Sequence, residues 1–170
     1  MVDENPIVYG EKAKLDSKDK KILEELQLNA RQTISSISKK VQLPRDVVKY
    51  RIRKLKENNV IRFYHAVINP AKLGYPMYTF VLFALSNFDI NKEKEFVNFL
   101  KARKNIVTVA KISGHWDIGI NVCSTDFKDF DNTMYEIRTN FSVIVKEFQV
   151  GSIIDEYKSD YMTDLIDIKK

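Results

Sequence analysis

The sequence predicts an α+β protein in two parts, three short helices followed by a β-α-β-β-α-β unit. Three observations predict it. Apolar residues recur at helical spacing in three stretches between residues 15 and 60. From residue 77 to residue 151, β-rich runs and helical stretches follow one another in that order. The positive charge belongs to the first part alone: residues 1–69 carry 15 Lys/Arg against 9 Asp/Glu, while residues 70–170 carry 13 against 14.

The chain has 170 residues, room for two small domains, and a hydrophobic fraction of 44 %, enough to build a core. Its single cysteine, Cys123, excludes an intrachain disulfide framework and a cysteine-rich zinc site. A reducing, cytoplasmic location is expected. No apolar run has the length of a membrane span. Residues 1–14 read as a polar arm of mixed charge, not a secretory leader.

The first helix is predicted to start at Leu15-Asp16-Ser17-Lys18-Asp19, where Asp16 can cap and Asp19 can answer it. Ile22, Leu23 and Leu26 form its apolar face, and it ends near Leu28-Asn29. Thr33 caps a second, short helix with Ile34, Ile37 and Val41 on one side. Pro44 suits the first turn of a third, because its missing N–H would be unbonded there anyway. Val48, Ile52 and Leu55 make the stripe of that helix, and Asn58-Asn59 ends it.

Two short helices joined by two or three residues, with a basic outer face on the second, describe a helix-turn-helix. From Arg45 to Lys56 there are six basic residues and one acidic. A helix face that is merely solvated mixes signs for i,i+4 pairing, and this one does not. An aliphatic stripe this narrow is needed for packing the three helices, which argues against a membrane-surface helix. Double-stranded DNA is the expected partner. Arg45, Lys49, Tyr50 and Arg53 are the expected base or phosphate contacts, with Arg31, Lys39, Lys40 and Lys54 anchoring phosphates.

Val60 to Ile68 is β-rich and predicts a linking strand, able to pair between subunits. Strands follow over Met77–Ser86, Ile106–Ser113, Ile118–Cys123 and Val143–Gly151. Helices over Asn91–Arg103 and after Asp126 alternate with them, the second with Phe127, Phe130, Met134 and Ile137 inward. Gly114-His115-Trp116-Asp117 is a tight turn. This order is the ferredoxin-like pattern. Both helices on one face leave the other sheet face to be covered, so a homo-oligomer is expected. The tail after Ile153 predicts an edge strand or a short helix. The resulting division is an arm (1–14), a winged-type helix-turn-helix domain (15–60), a linker strand (61–76), a ferredoxin-like domain (77–155) and a tail (156–170).

Taken together, Leu15-Asp16, Asp19, Ile22-Leu23, Leu26, Ala30-Arg31, Arg51-Ile52-Arg53-Lys54-Leu55, Val60-Ile61, Asn69-Pro70, Leu73-Gly74 and Gly114-x-x-Asp117 resemble the Lrp/AsnC, or feast/famine, regulators. The resemblance covers roughly residues 15 to 151. It implies a helix-turn-helix followed by an αβ sandwich domain that pairs through its sheet, with dimers assembling into tetramers or octamers. It also implies an amino-acid effector near Gly114, His115, Trp116 and Asp117. There Asp117 could pair with an ammonium group, Gly114 would let a carboxylate reach the backbone, and Trp116 would form a wall. The same four residues equally suit an ordinary hairpin. The chain departs from the family at Gln42-Leu43-Pro44, where Gly-Leu-Ser is usual, and at Asn59, where Gly is common.

Two other readings fit the pattern. Sirohaem decarboxylases look similar, but their chemistry uses histidines around a tetrapyrrole, and this chain has only His65 and His115. An architectural DNA-binding protein without an effector is the other. No catalytic residue, metal site or cofactor is expected: there is no Gly-rich phosphate loop, no His/Glu metal spacing and no nucleophile beside a base. Cys123 is expected to be a buried small side chain, and Asp126, Asp129 and Asp131 a helix start.

Overall fold

The computed structural model describes residue 7 and residues 9–86 and 89–168. The expected arm therefore falls partly outside the described residues. The chain forms two units. One holds the described residues up to Ala66 and those from Lys158 on; the other is Val67–Tyr157.

The first unit contains α1 (Ser17–Leu28), α2 (Ile34–Val41) and α3 (Arg45–Glu57). Asp16 and Asp19 cap α1 reciprocally. The Asp16 carboxylate accepts from the amides of Lys18 (2.8 Å) and Asp19 (2.9 Å), and Asp19 accepts from the Asp16 amide (3.2 Å). Thr33 Oγ1 accepts from the Ser36 amide (3.1 Å) at the start of α2. Pro44 sits at the N-cap of α3, one residue before the first turn expected for it. Asn58 caps the end of α3, and Asn59 takes the left-handed conformation (φ 55°). Ile22, Leu23, Ile37, Val41, Val48 and Leu55 are the core, with Leu15, Leu26, Ile52, Val60 and Ile61 packed around it.

No strand forms over residues 60–68, and Phe63, Tyr64, Val67 and Ile68 are exposed. A strand needs a neighbouring edge to bond to, and among the described residues no strand pairs with residues 63–68.

In the second unit a short 3₁₀ turn (Pro70–Leu73) precedes β1 (Met77–Leu85). Then come α4 (Ile90–Ala102), β2 (Ile106–Lys111), β3 (Ile118–Ser124), α5 (Phe127–Phe141) and β4 (Val145–Ser152). The sheet order is β2-β3-β1-β4, with every neighbouring pair antiparallel. This is the expected α+β arrangement. Alternate residues share a sheet face. Val81 and Phe83 of β1, opposite Ile120 and Ile118 of β3, join Phe96 and Leu100 of α4 and Met134 and Ile137 of α5 in one core. Phe83 meets Phe96 edge-on, ring centroids 5.4 Å apart. Phe127, expected inward, is 79 % exposed: it is the first residue of α5, and the buried stripe begins at Phe130.

The opposite sheet face carries Tyr78, Phe80 and Leu82 of β1, Asn121 of β3 and Gln149 of β4. The Phe80 ring lies over Gly119, where an added Cβ would sit 3.5 Å from it. Phe80 is itself 40 % exposed. The tail is not an edge strand. It forms a 3₁₀ turn (Thr163–Leu165) that belongs to the first unit.

Candidate nucleic-acid interface

The turn between α2 and α3 lacks the glycine and serine usual there, and other residues do their work. Gln42 adopts the left-handed conformation (φ 56°), and its amide donates to the Ser38 carbonyl. Ser38 then ties the turn twice: its carbonyl accepts from the Leu43 amide (3.1 Å), and its hydroxyl donates to the Leu43 carbonyl (2.5 Å). Val48 and Leu55 anchor α3 to the core from the other side.

Arg51 fixes the rotation of α3. Its guanidinium lies 2.7 Å from Asp19 and 2.8 Å from Asp16, the two residues that cap α1. The Asp16 carboxyl is held below its ordinary value. Burial opposes that shift, and the Asp19 amide, the Arg51 side chain and the Lys18 amide outweigh it. With Arg51 turned inward, Arg45, Lys49, Tyr50, Arg53 and Lys54 are all exposed on the outer side of α3. Among the described residues Arg45, Lys49 and Lys54 make no ion pair. Arg53 reaches Glu57 at 3.6 Å, both about two-thirds exposed, and stacks 5.6 Å from the Tyr50 ring centroid.

The outlying predicted anchors divide. Arg31 and Lys39 are exposed. Lys40 is exposed too and carries a partner: its ammonium is 2.6 Å from Glu25, whose carboxyl is lowered by Lys40 and by a bond from Gln32.

The Gly114–Asp117 turn lies on the second unit. Gly114 has φ 131°, a conformation that favours glycine. The Asp117 amide donates to Phe83, its carbonyl accepts from Ile112, and its Oδ2 accepts from the Leu85 amide at 2.7 Å. That last bond falls where the β1–β4 register shifts, so one Asp117 oxygen braces a strand irregularity. His115 Nε2 is 3.1 Å from Glu147, and its ring meets Trp116 edge-on at 4.6 Å. Glu147 also lines a groove of about 780 Å³ between α5 and β4, with Tyr135, Arg138, Thr139, Ser142, Lys146 and Phe148. Cys123 is buried, which pushes its thiol up. Asp126 and Asp129 are engaged at the start of α5.

Residues 15–62 match the family model described as winged helix-turn-helix DNA-binding. Solved structures share the fold. LrpC of B. subtilis superposes with a TM-score of 0.72 at 22 % identity, over 87 % of this chain and 100 % of its own. An AsnC family regulator from Agrobacterium tumefaciens gives 0.74 at 23 %, over 85 % and 94 %. An uncharacterised HTH-type transcriptional regulator of Pyrococcus furiosus is 32 % identical over 122 residues, 72 % of this chain and 81 % of the relative. The chain belongs to the Lrp/AsnC family.

This Lrp/AsnC chain is a DNA-binding transcriptional regulator, and the relatives it matches are regulators, not enzymes. No helix among its described residues is long and apolar enough to cross a membrane. Arg138 and Lys146 of the groove were not among the residues singled out from the sequence. Two further features of this regulator were not legible beforehand: that Arg51, one of the six basic residues of the third helix, closes onto Asp16 and Asp19, and that the tail meets Gln27 of α1. Each depends on residues far apart in sequence. Only the mixed-sign pattern of Asp16, Asp19 and Arg51 hinted at the first.

Proposed function

We propose that the regulator binds DNA as a homodimer whose two α3 helices enter successive major-groove faces of a pseudo-palindromic site. Arg45, Lys49, Tyr50 and Arg53 read bases or phosphates there, and Arg31, Lys39 and Lys54 hold the flanking phosphates. Lys40 joins them only by leaving Glu25. The observation that carries this reading is the outer face of α3, where Arg45, Lys49 and Lys54 stand exposed without an ion pair while Arg51 points inward. Cations left uncompensated on a helix face repel one another until a polyanion neutralises them.

The dimer forms through the sheet face carrying Phe80, and the exposed segment 62–68 becomes a strand by pairing with its copy. An amino acid is the effector. Support comes from a Neisseria meningitidis regulator solved as its complex with L-Met, which superposes with a TM-score of 0.79 at 20 % identity, over 90 % of this chain and 100 % of that one. The Gly114–Asp117 turn and the adjoining groove suit such a zwitterion. Arg138 and Lys146 can take its carboxylate, and Glu147 or the free oxygen of Asp117 its ammonium. Effector binding then shifts the assembly or the spacing of the DNA-binding units, provided it binds one state more tightly.

The test is binding to the DNA upstream of the regulator's own gene at two salt concentrations, with and without a panel of amino acids. Selective binding that weakens steeply with salt, and shifts with one amino acid, supports the reading. Equal affinity for random duplex, unmoved by the panel, leaves an architectural role.

A further inference from the structure

The tail contacts α1 through specific groups. Gln27 grips its backbone: Oε1 accepts from the amides of Met162 (3.1 Å) and Thr163 (2.9 Å), and Nε2 donates to the Asp160 carbonyl (2.6 Å). Asp160 makes the sharp turn in the left-handed conformation (φ 56°). Farther on, Lys20 Nζ donates to the Ile166 carbonyl (3.2 Å), and the Ile166 side chain packs against the helix-turn-helix core. One glutamine satisfying three backbone groups is a side chain reading a peptide, as a sheet edge or cap would.

We propose that residues 158–168 are a strap. They dock on α1 as an intramolecular peptide ligand, tie the DNA-binding unit to the sheet unit a second time, and so narrow the half-site spacings that the regulator accepts. The spacing role rests on the paired-site reading above; the docking does not. The reason is contour length. The sheet holds the chain as far as Ile153, whose amide donates to Tyr78, and α1 takes it again at Asp160. These seven steps reach about 23–25 Å at full extension. The other connection runs from Ile61, bonded to Leu55, to Met77 at the start of β1. Its sixteen steps reach about 53–58 Å. With the strap docked, the shorter tether sets the range of the DNA-binding unit; undocked, the longer one does.

Hydrogen exchange on the full chain and on Gln27→Ala tests the docking. Slow exchange at Met162 and Thr163 in the full chain, lost in the variant, is expected; equal exchange in both overturns it. A series of duplexes with half-sites moved apart by single base pairs tests the role. Gln27→Ala, and separately a chain ending at Tyr157, should lose several-fold of the discrimination between best and misplaced spacing while keeping full affinity for a single half-site. An unchanged spacing profile after release overturns the role. Adding the peptide 158–168 to the shortened chain should restore protection of α1 without restoring discrimination, because the covalent tether is missing. Recovered discrimination would make the tail a mere stabiliser and refute the strap. If the full chain ignores spacing altogether while Met162 and Thr163 stay protected, the paired-site reading and the spacing role fall together, and the docked tail stands.

Discussion

Replacing Arg53 with alanine tests whether α3 reads bases. In the free protein Arg53 has two contacts to give up. Its i,i+4 pair with Glu57 spans 3.6 Å between side chains 68 % and 65 % exposed, and such a pair contributes about 0.3–0.5 kcal/mol. Its stacking on Tyr50 at 5.6 Å contributes about 0.5–1 kcal/mol at an exposed site. Arg53→Ala should therefore lower folding stability by about 0.8–1.5 kcal/mol at most. A bidentate base contact is worth about 1–3 kcal/mol, so operator affinity should fall about 5- to 150-fold. The assay is fluorescence anisotropy on the operator and on a duplex with scrambled half-sites, each at several salt concentrations. A base reader loses affinity for the operator alone. A phosphate contact loses it equally on both duplexes, and the salt slope drops by about 0.9. Unchanged binding to both, with the variant folded, would refute the placement of α3 against DNA.

Four further outcomes are expected. Arg51→Ala leaves Asp16 and Asp19 without their guanidinium and should destabilise the DNA-binding unit by about 1–3 kcal/mol, seen as an earlier melting transition. Asp16 and Glu25 both titrate below their ordinary values when folded, so their contribution is present above the unfolded pKa and disappears as pH falls through the folded one. Denaturant midpoints should therefore decline as the solution is acidified below the ordinary carboxylate range, and Glu25→Gln should make that decline shallower. Asp117→Ala strands the Leu85 amide and should cost about 1–3 kcal/mol, whereas Asp117→Asn keeps an acceptor; an effector defect in Asp117→Asn at unchanged melting temperature would separate ligand binding from bracing. Phe83→Ala empties a site with no exposed surface at the centre of the sheet and should cost about 3–5 kcal/mol by calorimetry.

The sequence by itself determined the local architecture and the family. Caps at Asp16, Thr33 and Asp126 act within three residues of themselves, and apolar periodicity is a property of one turn or one pleat, so both can be read along the chain. The basic face of α3 was legible for the same reason. Tertiary structure decided what each polar group does. Arg51 and Lys54 are equivalent in composition, yet one closes onto residues 32 and 35 positions away and the other stays exposed. Lys40, expected as a phosphate anchor, has Glu25 of α1 beside it, a neighbour 15 residues away that local pattern does not give. Phe127 has the spacing of a core residue, but its place at the first position of α5 leaves it in solvent. Gln27 meets partners 133 to 136 residues on, a pairing that no local pattern encodes. Helix caps and apolar stripes arise from neighbours in sequence, whereas the Arg51 pairs and the docked tail arise from closing long loops, and which loops close depends on how the core packs.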